Sequence, residues 1–356
     1  MKLNKYIPLI LAGVAGATVA SAQIPFTITG ATAFRSITID RGLSMFDAGT
    51  AYYTNGSASL GTITALGTMS NVVSALGANQ VEMRMYYSGS IEGMNDLKNL
   101  ALVPCAKVGG GTTNSLPDVA FSDVFPASAN PPIAASTFND FKVGVVPMIY
   151  VKNNGILGMT DLTQDKAVFF MVNNGPGIPQ SYFGGSSEAD IYLVGRDSGS
   201  GTRATVEKCV KFVGAPTLWA TNAAGAYVST NGYLSGGLVK NVVSGKSDAV
   251  GYHSLGDYTG SYTNLATILS YNGVPYTITN VYKGNYTVWG YEHMLNRTGV
   301  NGLNANQLLI FNALKARITD ATYQATSSNY KGKFGELNAM EVERNGDGGP
   351  LSSLLF

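Results

Sequence analysis

Residues 188–214, EADIYLVGRDSGSGTRATVEKCVKFVG, hold the junction on which the fold turns. An apolar, strand-like run ends at Gly195-Arg196, a turn of small residues follows, and a helix-like run begins after Gly201. A helix that opens on such a turn leaves its first N–H groups unsatisfied and carries the positive end of its dipole there. Two readings follow. Ser200 or Thr202 caps a helix on a solvated loop. Alternatively, Ser200, Gly201 and Thr202 present N–H groups and two hydroxyls to an anion, and Arg196 adds a guanidinium fork that matches a tetrahedral oxyanion.

The same junction recurs along the chain. IPFTITGATAFRSITIDRGL (24–43) places Ile24, Phe26 and Ile28 at alternating positions before Gly30, and a helix start follows. In NQVEMRMYYSGSIEGMNDLKNLA (79–101), Val81, Met83 and Met85 alternate with polar residues, which predicts a half-buried strand. After its SGS turn, Met94, Leu97 and Leu100 recur at helical spacing. A further strand, PDVAFSD, ends in Ser122-Asp123. FKVGVVPMIYVKNN (141–154) is too long for one ordinary strand and reads as two strands meeting at a crossing point. LVKNVVSGKSDAVGYHSLGD gives helix, turn and strand, and NANQLLIFNALKARIT gives a helix. Residues 43–80, rich in Ser, Thr, Gly and Ala, show no clear pattern. Strands alternating with helices predict an α/β protein with largely parallel sheets, whose ligand crevice lies at the carboxyl ends of the strands.

Composition narrows the functions. Lys2, Lys5, the apolar stretch IPLILAGVAGATVA and the small residues ASA read as a secretory signal peptide over residues 1–22, cleaved after Ala22. No other run approaches the apolar length of a membrane span, so the chain is not expected to be membrane-embedded. Without Lys2 and Lys5 the 23 basic residues become 21 against 22 acidic ones, a formal charge of −1. That balance gives no pull on nucleic acid. Two cysteines, Cys105 and Cys209, and two histidines, His253 and His293, give no zinc framework. GKS at 245–247 lacks the earlier glycine of a phosphate-binding loop, since position 240 is Lys. There is no dinucleotide fingerprint, so no cofactor is expected. The chain also has no G-x-S-x-G nucleophile elbow, and RDSGSG would need one of the two histidines as base, so an enzyme is not expected. NGDGGP, with only Asp347, reads as a turn rather than a calcium loop.

Taken in order, TITGATAF, YYSGSIEG, DVAFSD, RDSGSGT and VGYHSLGD resemble the motifs of the periplasmic phosphate-binding proteins, the substrate-binding components of phosphate ABC importers. The resemblance spans most of residues 24–257. It implies the type II periplasmic-binding fold, with two α/β lobes, each a mostly parallel sheet flanked by helices, joined by crossing strands. Lobe I would hold residues 23–147 and 286–356, and lobe II residues 148–285. The crossing strands would be VVPMIY and a return near GNYTVWGY. The resemblance assigns ligand binding to Thr32, Ser90, Asp123, Arg196, Ser200, Gly201 and Thr202, with Gly89 and Gly93 as flexible partners. It implies inorganic phosphate as ligand, an ABC permease as partner and a periplasmic or secreted location. The family often carries an acidic residue two places after the Arg. Here Ser198 stands there and Asp197 sits one place earlier, which predicts an altered brace. Asp123 would favour an oxyanion that brings a proton, or else cap a following helix. Cys105 and Cys209 fall in different lobes and are expected as free thiols. A surface, adhesion or sensory module with this fold stays open beside transport.

Overall fold

The computed structural model describes residues 23–55, 62–173 and 177–354. The predicted signal peptide and residues 56–61 of the unpatterned segment lie outside them. The chain runs β1 (Ile24–Gly30), α1 (Arg35–Leu43), β2 (Ala51–Asn55), β3 (Thr62–Gly67), β4 (Val81–Met85) and α2 (Ser90–Asn99). A hairpin of β5 (Val103–Ala106) and β6 (Thr112–Ser115) precedes β7 (Val119–Ser122) and the long β8 (Phe138–Asn153). Then come β9 (Asp161–Leu162), α3 (Gln164–Val172), β10 (Ile178–Pro179), β11 (Asp190–Val194), α4 (Gly201–Cys209) and a second hairpin, β12 (Leu218–Thr221) with β13 (Tyr227–Thr230). The rest is α5 (Gly236–Gly245), β14 (Ala249–Ser254), β15 (Ala266–Ile268), β16 (Ser270–Tyr271), α6 (Ile278–Tyr282), β17 (Trp289–Arg297), α7 (Ala305–Ile318) and α8 (Ala321–Thr326), with short strands at the tail.

One mixed sheet organises these elements, in the order β10-β11-β14-β8-β17-β7-β1-β4-β3-β2, with β15 also on β8. Its parallel pairs are β1 with β4, β1 with β7, and β11 with β14. The other pairs along that order are antiparallel. Residues 141–153 of the run belong to one continuous strand, not two. Phe138 to Pro147 of β8 pair with β17, and Met148 to Lys152 pair with β14. Pro147, which has no N–H to give a ladder, falls where the partner changes.

β4 is not half-buried as its alternation predicts. It lies inside the sheet, and Glu82 is buried by pairing with Arg84 at 2.7 Å. Leu100 does not continue the apolar face of α2. It ends the helix in the left-handed region at φ 55° and is exposed. α7 begins with a capping box of Asn304 and Gln307. Cys105 and Cys209 are buried and unbridged. Asp347 is also buried, where its Oδ2 accepts the Phe125 N–H at 2.9 Å, so the tail is tied to the loop after β7. Among the described residues no helix is long and apolar enough to cross a membrane.

Within the unpatterned segment, Asp47 ties the stretch just after the first helix to the turn at residues 68–71. Asp47 accepts the Thr68 hydroxyl at 2.7 Å, the Ser70 N–H at 2.9 Å and hydroxyl at 2.8 Å, and the Asn71 N–H at 3.0 Å. These bonds, the Thr68 and Ser70 hydroxyls foremost, hold its carboxyl down to about 2. A depressed acid stabilises the fold above its ordinary pKa, and that contribution is lost as pH falls through the folded value. Asp47→Asn is therefore expected to lower the melting temperature at pH 7, with the gap to the unsubstituted protein closing between pH 4 and about 2. Thermal scans across that range check it, and a gap that stays constant contradicts it.

Candidate anion-binding site

The carboxyl ends of β1, β4, β7 and β11 all open onto one seam, and their turns carry the seven residues predicted from the sequence. Asp123, just after β7, is 1 % exposed and is the centre of the cluster. Its Oδ1 accepts the Ser90 hydroxyl and its Oδ2 accepts the Thr202 hydroxyl at 3.0 Å. Its carbonyl accepts the Thr205 hydroxyl at 3.1 Å. No side-chain cap is formed on the 3-10 turn that follows, so the capping alternative for Asp123 is set aside.

Arg196 is linked to this carboxylate through Thr202 Oγ1 and is equally buried. Its Nη2 donates to Thr32 Oγ1 at 3.1 Å and to the Leu234 carbonyl at 2.8 Å. Nε donates to the Tyr233 carbonyl at 3.1 Å, and Nη1 reaches Thr202 Oγ1 at 3.5 Å. The brace predicted to be altered is therefore made of two carbonyls, which orient the guanidinium without neutralising it. Asp197 is not ion-paired to it in the way a family carboxylate would be. Burial raises its carboxyl above the ordinary value despite the nearby Arg196 charge.

Ser200 caps α4, its Oγ accepting the Arg203 N–H at 3.4 Å, but it does so buried rather than on a solvated loop. Gly201 has a steric reason to be Gly: an added Cβ would lie 1.9 Å from Asp123 Oδ1 and 2.5 Å from Ser90 Oγ. The start of α4 thus sits directly on the carboxylate. Gly89 precedes α2 at φ 121°, but Gly93 is not a flexible turn residue. It lies inside α2, where a Cβ would meet the Gly30 Cα at 2.4 Å, so its smallness lets α2 lie against the β1 turn. Across the seam, the Ile91 N–H at the start of α2 donates to the Gly199 carbonyl at 3.1 Å.

Neither histidine joins the cluster. The ring of His253 contacts the Ser254 carbonyl at 2.8 Å and the Tyr262 hydroxyl at 3.2 Å, and burial lowers its pKa. His293 Nδ1 meets Asp140 at 2.7 Å. Among the described residues no group of His, Cys, Asp and Glu is arranged to hold a metal ion. Sequence reasoning missed the Tyr233 and Leu234 carbonyls, because any residue type supplies a carbonyl. It also missed Glu292, a fully buried acid in β17. Its signal was a lone carboxylate in the aromatic run VWGYEHML. Along the outer edge of the seam runs a cavity of about 560 Å³ lined by Tyr86, Tyr87, Glu92, Asp197, Asn231 and Leu234.

A central sheet crossed by β8 and β17, with loops meeting over a buried carboxylate, hydroxyls and a guanidinium, defines an α/β fold of type II with a candidate anion site at its strand ends. Over 209 residues the chain is 29% identical to the phosphate-binding protein PstS of Bacillus subtilis (strain 168). That match spans 57% of this chain and 62% of that protein. The fold is similar to that of a putative phosphate ABC transporter substrate-binding protein from Clostridium perfringens with bound phosphate. The TM-score is 0.57 and the identity 15%, over 88% of this chain and 99% of that one. It is also similar to an ABC-type phosphate transport receptor from Vibrio cholerae, with a TM-score of 0.52 and 16% identity over 82% and 93% of the two chains. No family model matches the chain. The sequence likeness is in keeping with the resemblance carried by the motifs.

The close seat of α4 on Asp123 predicts that Gly201→Ala costs about 1–3 kcal/mol of stability through overpacking. Gly245→Ala, with nothing within 4 Å of the added carbon, is the matched control and costs nothing comparable. Denaturant unfolding of the two variants checks this, and equal midpoints contradict it.

Proposed function

We propose that this chain is an exported solute-binding protein that captures inorganic phosphate between two lobes for ABC-type import. The leader-like residues 1–22 support export to the periplasm or beyond, with cleavage after Ala22. The change of partner between Pro147 and Met148 of β8 supports the division into lobe I, residues 23–147 and 286–356, and lobe II, residues 148–285. Capture requires no cofactor and no chemical step. A membrane permease would receive the ligand.

The observation that carries this reading is a buried carboxylate, Asp123, linked through the Thr202 hydroxyl to a buried guanidinium, Arg196, under the N-terminus of α4. In the ligand-bound protein Thr32, Ser90 and Asp123 would hold the anion from one lobe. Arg196, Ser200, Gly201 and Thr202 would hold it from the other. The cation, the hydroxyls and the N–H groups suit any tetrahedral oxyanion. Asp123 does not. Its carboxylate repels a fully ionised ligand and accepts a hydrogen bond only from one that brings a proton. Phosphate near neutral pH carries such a proton, and sulfate does not. Discrimination by a hydrogen bond left unmade in a buried site is steep.

Calorimetric titration of the mature chain with phosphate, sulfate and arsenate tests the reading. Saturable uptake of phosphate and arsenate with little or no sulfate is expected. A folded sample that takes up none of the three would leave a surface or sensory module as the use of the fold. Asp123→Asn replaces one acceptor oxygen with a donor and removes the charge, so the ratio of phosphate to sulfate affinity is expected to fall by at least tenfold. An unchanged ratio would mean that Asp123 serves only to hold Ser90 and Thr202 in place.

A further inference from the structure

Glu292 lies in the second crossing strand with its side chain fully buried and neither carboxyl oxygen hydrogen-bonded. A buried polar group left unmatched in this way is costly, so its place in the fold matters. β17 pairs with β7 through His293 and Ser122, which puts Glu292 at the next position in register, beside Asp123. On its other side Glu292 is paired with Gly144 of β8, and the single irregularity of that ladder falls between Glu292 and His293. Alternation sends residues 290 and 292 to one face of the strand. A Cβ on Gly290 would lie 2.6 Å from the Asp123 carbonyl and 3.2 Å from Thr205 Oγ1, so this is the face that α4 covers. A Cβ on Gly144 would lie 2.8 Å from the Tyr330 hydroxyl and 3.4 Å from the Phe34 ring, which ends the turn carrying Thr32.

The titratable groups facing Glu292 are therefore Asp123, after β7, and Tyr330, beyond α8, and neither is cationic. Tyr291 and His293 turn to the opposite face, where Lys142 lies 3.9 Å from the Tyr291 ring and Asp140 meets His293. Burial raises the Glu292 carboxyl well above its ordinary value, and the Asp123 charge adds to this. Two neighbouring carboxyls in a buried site do not both ionise readily. Asp123 has two hydroxyl donors and Glu292 has none, so a negative charge is matched at Asp123 and unmatched at Glu292.

We propose that Glu292 is the proton-linked floor of the anion site: as the neutral acid it lets the cleft hold a polyanion beside Asp123, and on ionising it drives the anion out. A second negative charge there would oppose a ligand held by one guanidinium. The inference rests on the phosphate reading for its choice of ligand. By linkage, an anion that binds the neutral form better also raises the pH at which Glu292 loses its proton.

Two measurements on the mature protein test it. Calorimetric titration with inorganic phosphate between pH 6 and 9.5 compares the unsubstituted chain with Glu292→Gln. Dividing the two constants at each pH cancels the protonation of phosphate itself. The ratio is expected to rise in favour of Glu292→Gln, by roughly tenfold per pH unit once Glu292 ionises. Should that variant fail to fold, carbon-13 spectra of carboxyl-labelled glutamates in the unsubstituted chain give the second readout. One glutamate is expected to stay protonated at pH 7 and to titrate at a higher pH when phosphate is added. A flat ratio, or no glutamate whose midpoint moves with phosphate, overturns the inference while phosphate binding itself stands. No phosphate binding at any pH removes the phosphate reading, and this inference with it.

Discussion

A carboxylate removed from water must find donors or give up its charge, and Asp123 finds them on segments far apart in the chain. Ser90 comes from the turn after β4 and Thr202 from the first turn of α4. Those two bonds fix how closely the start of α4 approaches the β7 turn, and that approach leaves no room for any residue but Gly at 201. The rest of the seam follows. Thr32 meets Arg196, and the Gly199 carbonyl meets the first N–H groups of α2. Thr32, Asp123, Arg196 and Thr202 make side-chain contacts across this seam, Ser90 supports Asp123 from its own side, and Ser200 and Gly201 serve the helix start.

The sheet makes such a meeting possible because it is continuous. β8 serves two neighbourhoods in one pass, and β17 returns beside it. A ladder with so many central hydrogen bonds is stiff along the strands, while the turns at the carboxyl ends are held by side chains and by single backbone bonds such as Gly89 N–H to the Gly30 carbonyl. Function therefore concentrates at those turns, on loops positioned by a rigid scaffold. Gly290 and Gly144 serve the same end from below. Their missing side chains leave space on the sheet face for Asp123, Thr205, Phe34 and Tyr330.

The junction motifs were legible because each needs particular residue types: small residues at the turn, a hydroxyl at the cap, an Arg with a fork. Their joint location could be inferred only through the rule that strand ends gather ligand loops, and all seven residues do meet there. β4 misled because alternation cannot tell a polar residue facing water from one buried by a partner, and the Glu82–Arg84 pair lies two residues apart on the same strand. The stretch 141–154 misled because length argues against one strand unless the sheet spans both halves of the molecule. Residues 43–80 gave no periodic signal because much of their order comes from one acid, Asp47, binding a loop more than twenty residues away.

The brace of Arg196 shows how the choice of partner sets what a buried guanidinium can do. A carboxylate brace would hold the guanidinium still and also cancel most of its field. The Tyr233 and Leu234 carbonyls hold it still and leave the charge available. Asp197, close enough for its carboxyl to be perturbed by Arg196, does not take over the role. The site thus sets one full positive charge and a helix N-terminus against one full negative charge, Asp123, with Glu292 in reserve as a neutral acid. With the proposed ligand in such a site, its own proton would decide the sign of the last interaction, and selectivity would lie in where protons are kept rather than in how much positive charge is gathered.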